Sequence, residues 1–227
     1  MLIGGVQKMT MLDYPGKVAC TIFTYGCNFR CPFCHNATLV IDEANLFDKN
    51  EILAYINKRK GILDGVVVTG GEPLLQPDIM EFLAELKQTG LLVKLDTNGS
   101  YPERLEQIIE KGLVDYVAMD IKNCKEKYDL TTGVKIDISK IEKSVELLMQ
   151  DRVDYEFRTT VVKELHKKED FEKIGKWLIG AKRLFLQPFK DNENLIGENL
   201  SSHSKESLEE FKGILEKTIP QVEIRGL

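Results

Sequence analysis

The chain has 227 residues, 43% hydrophobic and 30% charged, with 31 basic and 36 acidic side chains and a formal net charge of -5. That length allows one domain with a substantial core, expected over 1-227, and the nearly balanced charge favours neither a nucleic-acid nor a membrane partner. No stretch approaches the ~20 apolar residues of a membrane span and no apolar run follows a basic start, so a cytoplasmic protein is expected.

The first strand is expected at "VACTIFTY" (18-25). Directly after it, "TYGCNFRCPFCHN" holds three of the five cysteines, Cys27, Cys31 and Cys34, at spacing C-x-x-x-C-x-x-C. Asp48 with Glu51 has capping-box spacing for a helix that ends near Gly61. A strand follows at "GVVVTG" (65-70) and runs into "TGGEP" (69-73). Ile79, Phe82, Leu83 and Leu86 repeat at helical spacing up to Gly90, as in a helix laid on a sheet. "LLVKLDT" (91-97) is the next strand. Ser100 with Glu103 opens a helix that closes near Gly112. "VDYVAMDI" (114-121) follows, then Ser139 with Glu142 as another helix start, "VDYEFRTTVV" (153-162) and "RLFLQPF" (183-189). "KDNENLIGENLSSHSKES" (190-207) reads as a long polar connection that could cover a site.

Strand and helix signals alternate throughout, the pattern of repeated βα units, which predicts an α/β fold with a largely parallel sheet. Cys27, Glu72, Asp96, Asp120, Arg158 and Gln187 all fall at or just beyond the C-terminal ends of predicted strands. In parallel β/α folds that edge is where ligands bind, so the six predict one active site.

In a reducing compartment an odd cysteine count concentrated in one segment argues for metal or catalysis rather than disulfides. A structural zinc site closes with four Cys or His ligands, whereas this segment supplies three, and His35 adjoins Cys34 too closely to wrap the same ion. Three thiolates can instead hold three irons of a cubane iron-sulfur cluster and leave the fourth iron open. Cys20, mid-strand among apolar residues, reads as core. Cys124, just past a strand end, could face the rim, and two isolated cysteines do not make a second cubane cluster. His166 and His203 lie in charged segments and are expected to be exposed.

"CNFRCPFC", with Phe33 before the third cysteine, resembles the signature of the radical S-adenosylmethionine (SAM) superfamily, and "TGGEP" resembles that superfamily's SAM amino-group motif. Within it the resemblance is to activating enzymes of glycyl-radical enzymes: "GGVQKMTMLDYPGKVACTIFTYGCNFRCPFCHN" (4-36) is similar to those of anaerobic ribonucleoside-triphosphate reductase, the nearer match, and "LDTNG" (95-99) and "MDIK" (119-122) resemble motifs of the pyruvate formate-lyase activator. The resemblance implies a partial (β/α)6 TIM-like barrel and a [4Fe-4S] cluster on Cys27, Cys31 and Cys34. It also implies reductive cleavage of SAM to methionine and a 5'-deoxyadenosyl radical, which takes a glycine α-hydrogen from a partner enzyme. By the same resemblance Phe33 and His35 line the adenine, Asp120, Lys122 and Arg158 lie at SAM, and Asp96, Thr97 and Asp120 line a monovalent-cation site.

Gly70 and Gly71 let backbone approach a ligand closely, and Glu72 accepts hydrogen bonds either from the SAM ammonium or from backbone that shapes the loop. The expected partner is anaerobic ribonucleoside-triphosphate reductase, with flavodoxin or ferredoxin as electron donor. Lys190 stands where the pyruvate formate-lyase activator has histidine, and no role is assigned to it. The competing readings are a radical SAM enzyme for a small molecule, of the 7-carboxy-7-deazaguanine synthase kind, an activase of another glycyl-radical enzyme, and a zinc or redox module without enzymatic activity.

Overall fold

A computed structural model describes residues 1–41, 45–191 and 195–226. Among the described residues eight strands form one sheet in sequence order: β1 (Ile3–Thr10), β2 (Ala19–Thr24), β3 (Gly65–Gly70), β4 (Leu92–Thr97), β5 (Tyr116–Asp120), β6 (Asp154–Val161), β7 (Arg183–Pro188) and β8 (Gln221–Ile224). β1 runs antiparallel to β2, and every later neighbour is parallel. The helices are α1 (Thr38–Ile41), α2 (Lys49–Lys58), α3 (Ile79–Gln88), α4 (Pro102–Glu110), α5 (Tyr128–Thr132), α6 (Ile138–Met149), α7 (Lys168–Trp177) and α8 (Lys205–Leu215). The order never returns from β8 to β1, so this is an open, partial barrel.

The six strands expected from sequence are β2 to β7; β1 and β8 are additions. Side chains alternate between the sheet's faces. The outward set, including Cys20, Ile22, Val66, Val68, Val93, Leu95, Val117 and Met119, packs against the helices in one large core. The inward set begins with a small apolar cluster, Tyr14, Ala19, Val67, Tyr116 and Ala118, and becomes polar toward the C-terminal strand ends.

"DYPG" is a turn, with the Lys17 N–H on the Tyr14 carbonyl at 3.1 Å. It also pushes the Tyr14 ring into the barrel, 5.9 Å from that of Tyr116. Asp48 caps α2 through the N–H groups of Asn50 and Glu51, as expected. The two other expected capping boxes are replaced. Pro102 takes the first position of α4 after Tyr101, which makes no side-chain cap, and α6 is capped by Asp137 on the Ser139 N–H.

The 190-207 connection is partly docked. The Gly197 N–H donates to the Pro32 carbonyl at 2.8 Å, Ser201 binds Glu164 through its N–H and hydroxyl, and Ser204 already caps α8. Residues 192–194 of this connection lie outside the described residues.

Candidate functional site

A cavity of about 400 Å³ opens at the C-terminal ends of β2 to β7, a size suited to a small-molecule ligand. Cys27, Cys31, Cys34, Phe33, His35, Gly70, Gly71, Asp96, Thr97, Asp120, Lys122, Arg158 and Gln187 line it. Glu72 alone of the expected residues does not.

All three cysteines of the loop after β2 are free thiols. Burial pushes the Cys27 thiol up to about 12, against the Phe29 N–H that lies on its Sγ at 3.3 Å. Burial likewise pushes Cys31 up to about 11, with Lys122 opposing. In the metal-free chain these two sulfurs are therefore neutral, and iron binding takes them as thiolates with release of protons. Among the described residues no group of three or more His, Cys, Asp or Glu side chains could hold a single metal ion. All three cysteines line the same cavity, as ligands to three separate irons of one cluster must.

The "TGGEP" loop is welded to the cysteine loop. Gly71 N–H donates to the Thr24 carbonyl and Glu72 N–H to the Gly26 carbonyl, both at 2.9 Å. A Cβ on Gly71 would stand 2.0 Å from the Gly26 oxygen, and one on Gly70, whose φ is +116°, 2.3 Å from the Thr24 nitrogen. The close approach that these glycines permit is thus to the neighbouring loop. The Gly70 carbonyl accepts from the Asn36 amide at 3.0 Å.

Glu72 is 0% exposed, and its position favours the second of the two roles expected for it. Its carboxyl accepts from the Leu74 N–H (3.0 Å), the Thr97 hydroxyl (2.8 Å) and the Asn98 N–H (2.7 Å). It holds the turn after β4 from behind the cavity wall. Burial raises its pKa to about 7, against those three donors. The same turn reaches the cysteines, because the Asn98 amide donates to Asn28 Oδ1 at 3.0 Å and lies 3.9 Å from Cys27 Sγ.

Strands β4, β5 and β6 bring a row of charges to the same cavity. Arg158 binds Asp120 through Nε and Asp96 through a terminal nitrogen, both at 3.0 Å. Lys122 binds the other oxygen of Asp120 at 3.0 Å, and Lys94 contacts the other oxygen of Asp96. Burial opposes ionisation of both acids, yet Lys122 and Arg158 hold the Asp120 carboxyl at about 2, and Arg158 and Lys94 hold that of Asp96 below the usual range. The Lys122 ammonium lies 5.8 Å from the centre of the Phe33 ring, and His35 stacks on Phe189 at 6.0 Å.

Three sequence expectations are corrected, for Cys124, His166 and His203. Cys124 is 1% exposed and points away from the rim, its sulfur 3.4 Å from Asp170. His166 is 0% exposed. Its Nε2 bonds the Lys122 carbonyl at 2.8 Å, its Nδ1 accepts from the Val162 N–H at 3.1 Å, and its own carbonyl meets the half-buried His203. His166 thus braces the strand end that carries Lys122. Sequence reasoning also missed Asp13, a cavity residue that accepts from the Thr21 hydroxyl at 2.6 Å, along with Asn36, Asn98 and Lys94. Lys94 alone left a signal, since it stands two residues before Asp96 and therefore shares its inward face.

A family model described as the radical SAM superfamily matches residues 21–178. The chain belongs to the radical SAM superfamily. A protein of Methanocaldococcus jannaschii assigned to the glycyl-radical enzyme activating enzymes is 35% identical over 233 residues, which cover 100% of this chain and 96% of that protein. The pyruvate formate-lyase-activating enzyme of Listeria monocytogenes is 34% identical over 143 residues, 57% of each chain. Streptococcus suis SuiB bound to S-adenosylmethionine shares the fold, with a TM-score of 0.71 at 13% identity over 88% of this chain and 48% of that one. Membership makes this a radical SAM enzyme and implies a [4Fe-4S] cluster and SAM, for which the three free thiols and the cationic wall supply a fitting donor set. Among the described residues no helix is long and apolar enough to cross a membrane.

Proposed function

We propose that this radical SAM enzyme activates a glycyl-radical enzyme, with residues 1-227 acting as one unit. The observation that carries the reading is the single cavity shared by Cys27, Cys31, Cys34 and the Lys122–Asp120–Arg158 row, in a chain alike over its full length to a protein assigned to the activating enzymes. In this reading Cys27, Cys31 and Cys34 hold three irons and leave one open. Lys122 and Arg158 draw the SAM carboxylate, as guanidinium and ammonium groups suit an oxyanion. Phe33 and His35 line the adenine, while Gly70 and Gly71 fix the facing loop and Glu72, Thr97 and Asn98 keep the turn beside Cys27 in shape.

When bound, the cluster and SAM would supply hydrogen-atom abstraction from carbon, here the Cα of one glycine in the partner. The protein's part is to bind, orient and exclude side reactions. The open barrel supports entry of a polypeptide loop. The partner is anaerobic ribonucleoside-triphosphate reductase, with a flavodoxin or ferredoxin supplying the electron in a cytoplasmic setting. The monovalent cation added by the resemblance has no part in this proposal, because the chain's own cations fill its place.

The test is anaerobic reconstitution followed by reduction with SAM, with 5'-deoxyadenosine read by chromatography and organic radicals by electron paramagnetic resonance, with and without the reductase. A glycyl-radical signal that needs the reductase is the expected result. SAM cleavage with no radical on any glycyl-radical enzyme would refute activation and favour a small-molecule substrate.

A further inference from the structure

The inward face of β4 carries a lysine with almost no access to water: Lys94 is 1% exposed. A buried ammonium needs a partner, and what Lys94 meets is one oxygen of Asp96. The other Asp96 oxygen takes Arg158 at 3.0 Å, and the two oxygens of Asp120 take Arg158 and Lys122, again at 3.0 Å. Each of the four carboxylate oxygens at this wall is thus occupied by a donor from a cationic side chain. Thr97, the third member of the expected cation site, turns its hydroxyl the other way, donating to Glu72 and accepting from the Gly99 N–H.

Lys94 is not drawn off by Glu156, a further acid inside the barrel. Glu156 is already held by both terminal nitrogens of Arg225, at 2.8 and 3.0 Å, and by the Tyr116 hydroxyl at 2.8 Å. Burial pushes the Lys94 ammonium down while Asp96 pulls it up, and in either protonation state its Nζ remains the group on the Asp96 oxygen. With all three side chains charged, three cations stand on the Asp96 and Asp120 carboxylates, while Asp13 lines the same cavity and hydrogen-bonds Thr21. Beside Asp96 and Asp120 themselves, these cations favour a carboxylate ligand and oppose a further cation. A sodium or potassium ion therefore finds neither free oxygens nor a favourable field here.

We infer that Lys94 is a positioning residue which, with Arg158 and Lys122, stands in for a monovalent cation beside Asp96 and Asp120, so that this enzyme binds SAM without requiring sodium or potassium. The inference rests on the proposed SAM site. Its mechanism is indirect: Lys94 holds Asp96, Asp96 holds Arg158, and Arg158 meets the ligand.

The experiment measures SAM affinity of the cluster-loaded enzyme by equilibrium dialysis, and the SAM-induced change in the paramagnetic spectrum of the reduced cluster. Both are recorded in a tetramethylammonium buffer with and without added potassium. Wild type is expected to bind within about twofold in the two buffers. Lys94→Met is expected to bind about tenfold or more weakly without potassium, the size of a lost charge-assisted hydrogen bond, and to recover most of that loss when potassium fills the gap. A wild-type affinity that rises tenfold or more with potassium would overturn the inference even if the variant fails to fold. A variant as tight as wild type without potassium, or weak and not rescued, would overturn it too, the latter by showing a purely structural role. Absence of SAM binding by wild type in every buffer would instead remove the SAM reading beneath it.

Discussion

Glu72→Gln separates the two roles that a carboxylate in this loop can play. The native carboxyl receives three donors, Leu74 N–H and the Thr97 hydroxyl on one oxygen and Asn98 N–H on the other. A glutamine amide has one oxygen, so either rotamer sets its NH2 against one of the two backbone N–H groups. One buried donor left unmade costs about 1–3 kcal/mol, which for a chain of this size lowers the melting temperature by about 2–12 °C.

The assay is thermal unfolding of the cluster-free chain followed by circular dichroism. The pH dependence has a definite sign. The folded carboxyl, raised to about 7 from its ordinary value, keeps a proton that the unfolded chain has already released. Its contribution to stability is thus greatest below the unfolded pKa and falls as pH rises through the folded one. The gap between wild type and variant should therefore narrow from about pH 4.5 to about pH 7 and then level off. An unchanged melting temperature together with lost SAM binding would mean that Glu72 touches the ligand directly, and a gap that widens with pH would mean that its donors keep it ionised.

Two further outcomes follow from the same geometry. His166→Phe removes the bond to the Lys122 carbonyl and the acceptor for the Val162 N–H, and should cost about 1–3 kcal/mol in urea unfolding. Burial holds the His166 pKa below its ordinary value, so wild type should lose stability on acidification below about pH 6.5 to an extent that the variant does not. Gly71→Ala drives a Cβ into the Gly26 carbonyl; it should destabilise by about 1–3 kcal/mol and lower the iron retained per chain, whereas Gly61→Ala, with open space around it, should leave both unchanged.

Strands β2 to β7 were legible because each is a short run of apolar, β-branched or aromatic residues set between helix signals. β1 was not, since "IGGVQKMT" has two glycines and no alternation, and the four residues of β8 are too few to show a period. The cap misreadings have local causes. Ser100 spends its hydroxyl on Asn98, and Asp137 precedes Ser139 at the cap of α6. The rim residues were readable because one rule, ligands at the carboxyl ends of parallel strands, gathers them without knowledge of packing. Asp13, Asn36 and Asn98 join the cavity only through the folding of loops around them, and His166 was misread because its lysine-rich neighbours conceal one residue that turns inward.

The weld between residues 24–26 and 70–72 bears on how this scaffold can be engineered. Each loop supplies the backbone acceptors or the missing side chains that the other needs. The cysteine segment is therefore not a portable cassette, and a chimera that imports residues 24–36 from a relative should also import 69–73, or the two halves will have been shaped for different neighbours.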